Sequence, residues 1–222
     1  MNLLVLSYKI GWQISDREYL TYGGFPLQME ALSTFFAKTK VTLLIRPGMM
    51  PGGTQPIYGR NIEIFPLPEP DGSGLRRKLA LLAWLPRHLP QIWCEIARAD
   101  AVHTPVPGDI GFIGLLIAML QRKPLFVRHC GTWGEPVTHA DKLLLWLLEK
   151  IAGGRNVVFA TGGAEAPPSA KNPHIHWIFS TSLTQSELDS IHPAVPWDGG
   201  TPLRLVTVGR VTDGKNMAAI ID

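Results

Sequence analysis

The strongest chemical signal lies near the C-terminus, in "VGRVTDGKN". Gly209, Gly214 and Lys215 stand at the spacing of a Walker A phosphate loop, G-x-x-x-x-G-K-[ST], but Asn216 occupies the place of the Ser or Thr that would ligate magnesium. The loop between the glycines carries bulky Val211 and Thr212 and an acid, Asp213, facing the would-be phosphates. These departures argue against nucleotide hydrolysis. A second use of the same residues is a clamp. Arg210 at a strand end and Lys215 after a tight turn would converge on a diphosphate from two sides, without a metal.

Other chemistry-bearing residues lie upstream. Gly23 and Gly24 sit between a polar stretch and a helical one, where missing Cβ atoms let a ligand approach a helix N-terminus. The alternative is an ordinary loop glycine pair. His129 follows the apolar run "PLFVRH", at a strand end where α/β folds place ligands. His103 closes the shorter run "AVHTP" and is a second candidate to line the cleft. His174 and His176 alternate on one strand face, but no third ligand is near in sequence, so no metal site is expected. Cys94 and Cys130 belong to no C-x-x-C pair and read as thiols of a reducing compartment.

These residues need a scaffold, and the composition supplies one. The chain has 222 residues, 45% of them hydrophobic and 18% charged, which excludes a disordered chain. Its net charge of +3 and isoelectric point near 9.0 suit an anionic ligand or membrane surface. The basic residues are dispersed, so nucleic acid is not an expected partner. No secretory signal is apparent at "MNLLVLSYK". The longest apolar run, Ile110–Leu120, falls short of the about 20 residues a spanning helix needs. Both features predict a cytoplasmic protein.

Apolar runs at Leu3–Ser7, Val41–Arg46, Ile62–Pro68, Ala101–His103, Pro124–His129, "NVVFATGG" and "HIHWIFS" predict buried strands. The stretch "YKIGWQISDREYLTYGG" reads as a polar loop. Helices are expected at "FPLQMEALSTFFAK", with Leu27, Ala31, Leu32 and Phe35 on one face, at Leu75–Leu85 up to Pro86, at Gln91–Ala97, at Ile110–Leu120 capped by Asp109, and at "HADKLLLWLLEKIAGG". Strands alternating with helices predict an α/β fold: a Rossmann-like open, mostly parallel sheet with helices on both faces. The expected domains are residues 1–190, a linker at 191–202, and the start of a truncated second Rossmann domain at 203–222.

Taken in order, "GGFPLQMEALSTFFAKTKVTLLIRPG", "AVHTP", "VRHCG" and "VGRVTDGKN" resemble the GT-B glycosyltransferases of family 4, over essentially the whole chain. The resemblance implies two facing Rossmann-like domains, with the acceptor mainly on the N-terminal one and a nucleotide-sugar donor mainly on the C-terminal one. It implies a retaining transfer to a glycan or lipid-linked acceptor, with the nucleotide-sugar as co-substrate and no metal cofactor. Arg210 and Lys215 match the pair holding the donor diphosphate, whose growing charge fixed cations would stabilise. Gly23 and Gly24 match the glycine pair after the first strand, and His129 a catalytic-cleft histidine near the donor sugar. His103 would line the acceptor side. The family's Glu–seven residues–Glu motif is not among these residues, which predicts an incomplete fragment with poor affinity for nucleotide-sugars.

One helix suggests a further partner. In "GLRRKLALLAWLPRHLPQIW", Leu75, Leu79 and Leu82 are expected to face the core, leaving Arg77 and Trp84 on the outer side as candidates for peripheral contact with the inner membrane face. The other reading is a helix with an ordinary solvated face. Two other functions fit the same residues: a non-catalytic Rossmann-like module binding a glycan, lipid or partner chain, and a flavodoxin-like small-molecule binder.

Overall fold

The computed structural model describes residues 1–179 and 184–191. The chain divides into two compact units, Met1–Thr184 and Gln185–Asp222. Of the second unit the described residues form one short helix, Gln185–Asp189. Arg210 and Lys215 lie outside the described residues.

The first unit is α/β with a mostly parallel sheet. Its strands are β1 (Asn2–Val5), β2 (Ile10–Ser15), β3 (Glu18–Tyr22), β4 (Lys38–Ile45), β5 (Thr54–Pro56), β6 (Ile62–Pro68), β7 (Ala101–Val106), β8 (Leu125–His129), β9 (Val157–Thr161) and β10 (Ile175–Ile178). Its helices are α1 (Phe25–Ser33), α2 (Gly74–Arg98), α3 (Asp109–Leu120) and α4 (His139–Ile151). One edge of β4 pairs with β6; β1 and then β2 share the other edge. The long parallel run is therefore β6-β4-β1-β7-β8-β9-β10. Counted in chain order, its strands stand 3-2-1-4-5-6-7, the doubly wound Rossmann-like arrangement, which gathers ligand-binding loops at the C-terminal strand edge.

Side chains alternate between two faces. Leu4, Leu44, Val102, Val106, Val127 and Val158 meet α2, α3 and α4. Leu3, Val5, Val41 and Leu43 meet α1 through Phe25 and Met29. The central strands β1, β4 and β7 bury both parities, which is why their runs read as continuously apolar.

Several expectations are corrected. Residues 8–24 are not a plain loop: β2 and β3 form an antiparallel hairpin, extended by β5. In α1 the buried residues are Phe25, Pro26, Met29 and Ser33, while Phe35 is 80% exposed beyond the helix end. The last carbonyl of α1, at Ser33, and that of Phe36 beyond it both accept from the Asn61 side chain. Asp109 does not cap α3; Gly108 holds the cap position, and the Asp109 carboxylate instead takes the Arg77 guanidinium at 2.6 Å.

The largest correction is α2. It runs unbroken through Pro86 and Pro90. The carbonyls these prolines release, those of Leu82 and Pro86, belong to exposed residues. The helix is also turned about its axis relative to the expected face. Trp84 is 7% exposed, and its indole N–H donates to the Pro68 carbonyl at 2.8 Å. Leu75, Leu79 and Leu82 point outward instead. A Trp that keeps its hydrogen bond buries far more apolar area than a Leu, so the indole takes the inner position. Arg77 is half-buried, bonded to Asp109 and to the Pro70 carbonyl. Neither Arg77 nor Trp84 forms an outer contact face.

Candidate functional site

The C-terminal edge of the parallel strands collects most of the chemistry. Its first part is the open N-terminus of α1. Gly24 is the cap residue and offers no side-chain cap; Gly23 before it has φ +75°, a backbone state a side chain resists. A Cβ at Gly23 would meet nothing within 4 Å, so the glycine serves the turn and leaves open space above it. Pro26 has no amide proton and the Gln28 amide bonds the Gly24 carbonyl, so the partial positive charge of the first turn rests on the Phe25 and Leu27 amides.

Around that helix start stand residues the sequence alone did not single out. Lys9, just past β1, places its ammonium 5.0 Å from the Tyr22 ring and 5.8 Å from the Phe25 ring. Arg128 reaches over from β8 and donates to the Gln28 amide oxygen at 2.8 Å. The Arg128 Nε is enclosed without a partner. Tyr8 lies at the same edge; burial and the neighbouring Cys130 raise its phenol above the usual value, and Arg128 opposes them. The only sequence signal for Tyr8 and Lys9 is their position immediately after the first parallel strand.

His129 ends β8, opposite Val106 and Ala160 in register, and so belongs to the α2–α4 face. It is 5% exposed. The Trp133 ring stands edge-on to it at 5.4 Å, and a Cβ at Gly131 would lie 3.2 Å from its Cε1. Its Nδ1 is enclosed with no hydrogen bond of good geometry. Burial lowers its pKa, with the Gly131 backbone and the Asp141 charge offsetting part of that fall. The ring is therefore neutral at ordinary pH. The glycine pair and His129 share the strand edge but approach it from opposite faces, with Arg128 tying the first turn of α1 to the residue before His129.

His103 is placed differently. β7 continues to Val106, so His103 lies within the strand rather than at its end. It pairs with Val5 and Phe126 on the α1 face. It is enclosed, its Nδ1 bonds the Phe126 carbonyl at 2.8 Å, and its ring stacks on Phe126 at 4.1 Å. Burial drives its pKa to about 4. It is not brought together with His129. A groove of about 350 Å³ opens beside it, between α1 and β8, with Arg128 and Phe126 in its wall.

His174 and His176 are both exposed, and among the described residues no three His, Cys, Asp or Glu converge as a metal site. Cys94 is exposed and Cys130 half-buried, both as free thiols. Among the described residues no helix is long and apolar enough to cross a membrane. No protein-family model matches the chain, and neither a curated protein nor a solved structure does.

Proposed function

We propose that this chain is the acceptor-side part of a retaining glycosyltransferase of the GT-B kind, moving a sugar from a nucleotide-sugar to a glycan or lipid-linked acceptor. One observation carries the reading. A doubly wound sheet presents, at one strand edge, an uncapped helix start opened by Gly23 and Gly24 and a neutral buried imidazole at His129. The helix start, with Lys9 and Arg128 beside it, favours an anionic group. A neutral His129 is suited to hydrogen-bond a sugar hydroxyl without adding charge next to a developing oxocarbenium. Arg210 and Lys215, outside the described residues, would hold the departing diphosphate.

The test is transfer itself. The full-length protein that contains residues 1–222 is incubated with uridine and guanosine diphosphate sugars and either a membrane-lipid extract or free glycans. Release of nucleoside diphosphate that requires an acceptor is expected. Arg210→Ala and Lys215→Ala should abolish it without lowering the melting temperature. Transfer undiminished in both variants overturns the reading, as does the absence of transfer from every donor.

A further inference from the structure

Helices α2, α3 and α4 cover one face of the sheet, and what they turn outward is unusual in composition. Along α2, Leu75, Leu79 and Leu82 are 73%, 61% and 70% exposed. Their spacing of four and three residues puts them in one stripe, which Pro86 and Trp93 continue. On α4, Leu143 and Trp146 stand out in the same way, and on α3, Leu120. Between these apolar side chains the exposed charges on the helices are positive: Arg76, Lys78 and Arg87 on α2, and Lys142 and Lys150 on α4, with Arg76 also paired to the exposed Asp71 that precedes α2.

The acids of these helices are held in ion pairs and caps. Glu95 binds Lys40 and Arg98. Asp109 binds Arg77. Asp141 closes the capping box with Thr138, and Glu149 accepts from Ser169. A merely solvated helix face mixes both signs of charge, which this one does not. Two copies meeting through this face would set like charges against each other, which disfavours self-association.

We propose that the outer face of α2 and α4 seats on an anionic lipid bilayer. Leucines and tryptophans would enter the headgroup–acyl boundary, with the lysines and arginines at the phosphates. Both helices start at the C-terminal edge of the sheet, so the seated face adjoins the edge that holds Gly23, Gly24 and His129. Seating requires no sugar donor, so its success or failure is separable from that of the transferase reading.

The experiment is sedimentation with vesicles of phosphatidylglycerol and phosphatidylcholine against vesicles of phosphatidylcholine alone. Binding to the anionic vesicles is expected, weakening with salt. Lys78→Glu and Arg87→Glu should each weaken it about tenfold, on the basis of the surface-potential contribution of one basic residue and its reversal. Leu79→Glu should do at least as much. Phe35→Glu, at an exposed position next to the opposite-face helix α1, should leave binding unchanged. Equal binding to both vesicle types overturns the proposal. So does an equal loss in Phe35→Glu, or self-association in the absence of lipid that Leu79→Glu abolishes.

Discussion

His103 and His129 stand on neighbouring strands, β7 and β8, and burial depresses the pKa of both. Their surroundings nevertheless assign them different work. His103 lies within its strand, its Nδ1 satisfied by the Phe126 carbonyl and its ring stacked on the Phe126 side chain. His129 lies at a strand end, its Nδ1 without a well-formed bond to the nearby Gly131 backbone and a tryptophan edge beside it. The difference comes from parity and position. One residue faces α1 inside the sheet, and the other faces the α2–α4 layer at the edge where loops begin. A depressed pKa alone does not separate a packing histidine from a working one.

Substituting His129 is the sharpest way to separate the two. His129→Gln should lower sugar transfer by about a hundredfold or more, the usual scale for a group acting at a reacting centre. Its melting temperature should change little. If stability falls as much as in a His103 variant while transfer survives, the two residues are alike and the comparison fails.

The second effect is on stability against pH. Unfolding returns the His103 imidazole to an ordinary value near 6.5 from about 4. Above pH 6.5 both states are neutral and the full stability stands. As pH falls from 6.5 towards 4 the unfolded chain takes up the proton first, so stability drops, by roughly 3 kcal/mol in all. Denaturant titrations across this range should show the slope, and His103→Phe, which cannot titrate, should reduce it, leaving the part that His129 contributes with the same sign.

A smaller effect is expected from Phe126→Leu, which removes the ring stacked on His103. It should cost about 1 kcal/mol from the lost ring contact. Transfer should persist, whereas a collapse of transfer would place His103 in the site. Smallest in energy, Trp133→Ala opens the flank of His129 and should raise its pKa towards the usual value, read by the NMR titration of its ring protons. The His103 resonance should not move.

The strands were the most legible part of the sequence. β6 falls at Ile62–Pro68 as expected, and β8 begins one residue inside its apolar run. Such runs are readable because strands covered on both faces need no polar alternation. β7 was read too short because of Pro105, a residue poorly suited to a central strand. The structure explains its place: β1 pairs with β7 only as far as His103, so at Pro105 the strand keeps a neighbour on one side alone. The β2–β3 hairpin was hidden because Asp16 and Arg17 at its turn carry no glycine signal. In α2 the two prolines hid a continuous helix, and the leucine stripe was assigned to the core because periodicity marks a stripe without saying which side it faces.

The site was legible only where local sequence sufficed. The glycine pair and His129 stand at element boundaries that the pattern reveals. Arg128 meets Gln28 through strand order, which brings β8 to the first turn of α1 across a hundred residues of chain. No window of sequence contains that contact.

Arg77 has a consequence beyond its bonds. It holds Asp109 at the start of α3 and the Pro70 carbonyl after β6, with Glu69 at 3.7 Å and Arg46 bonded to the same carboxylate. Arg77 joins the loops after β6 and β7, and Arg46 ties the loop after β4 to them through the shared Glu69 carboxylate. Their amides are therefore expected to open to solvent exchange as one cooperative unit rather than loop by loop.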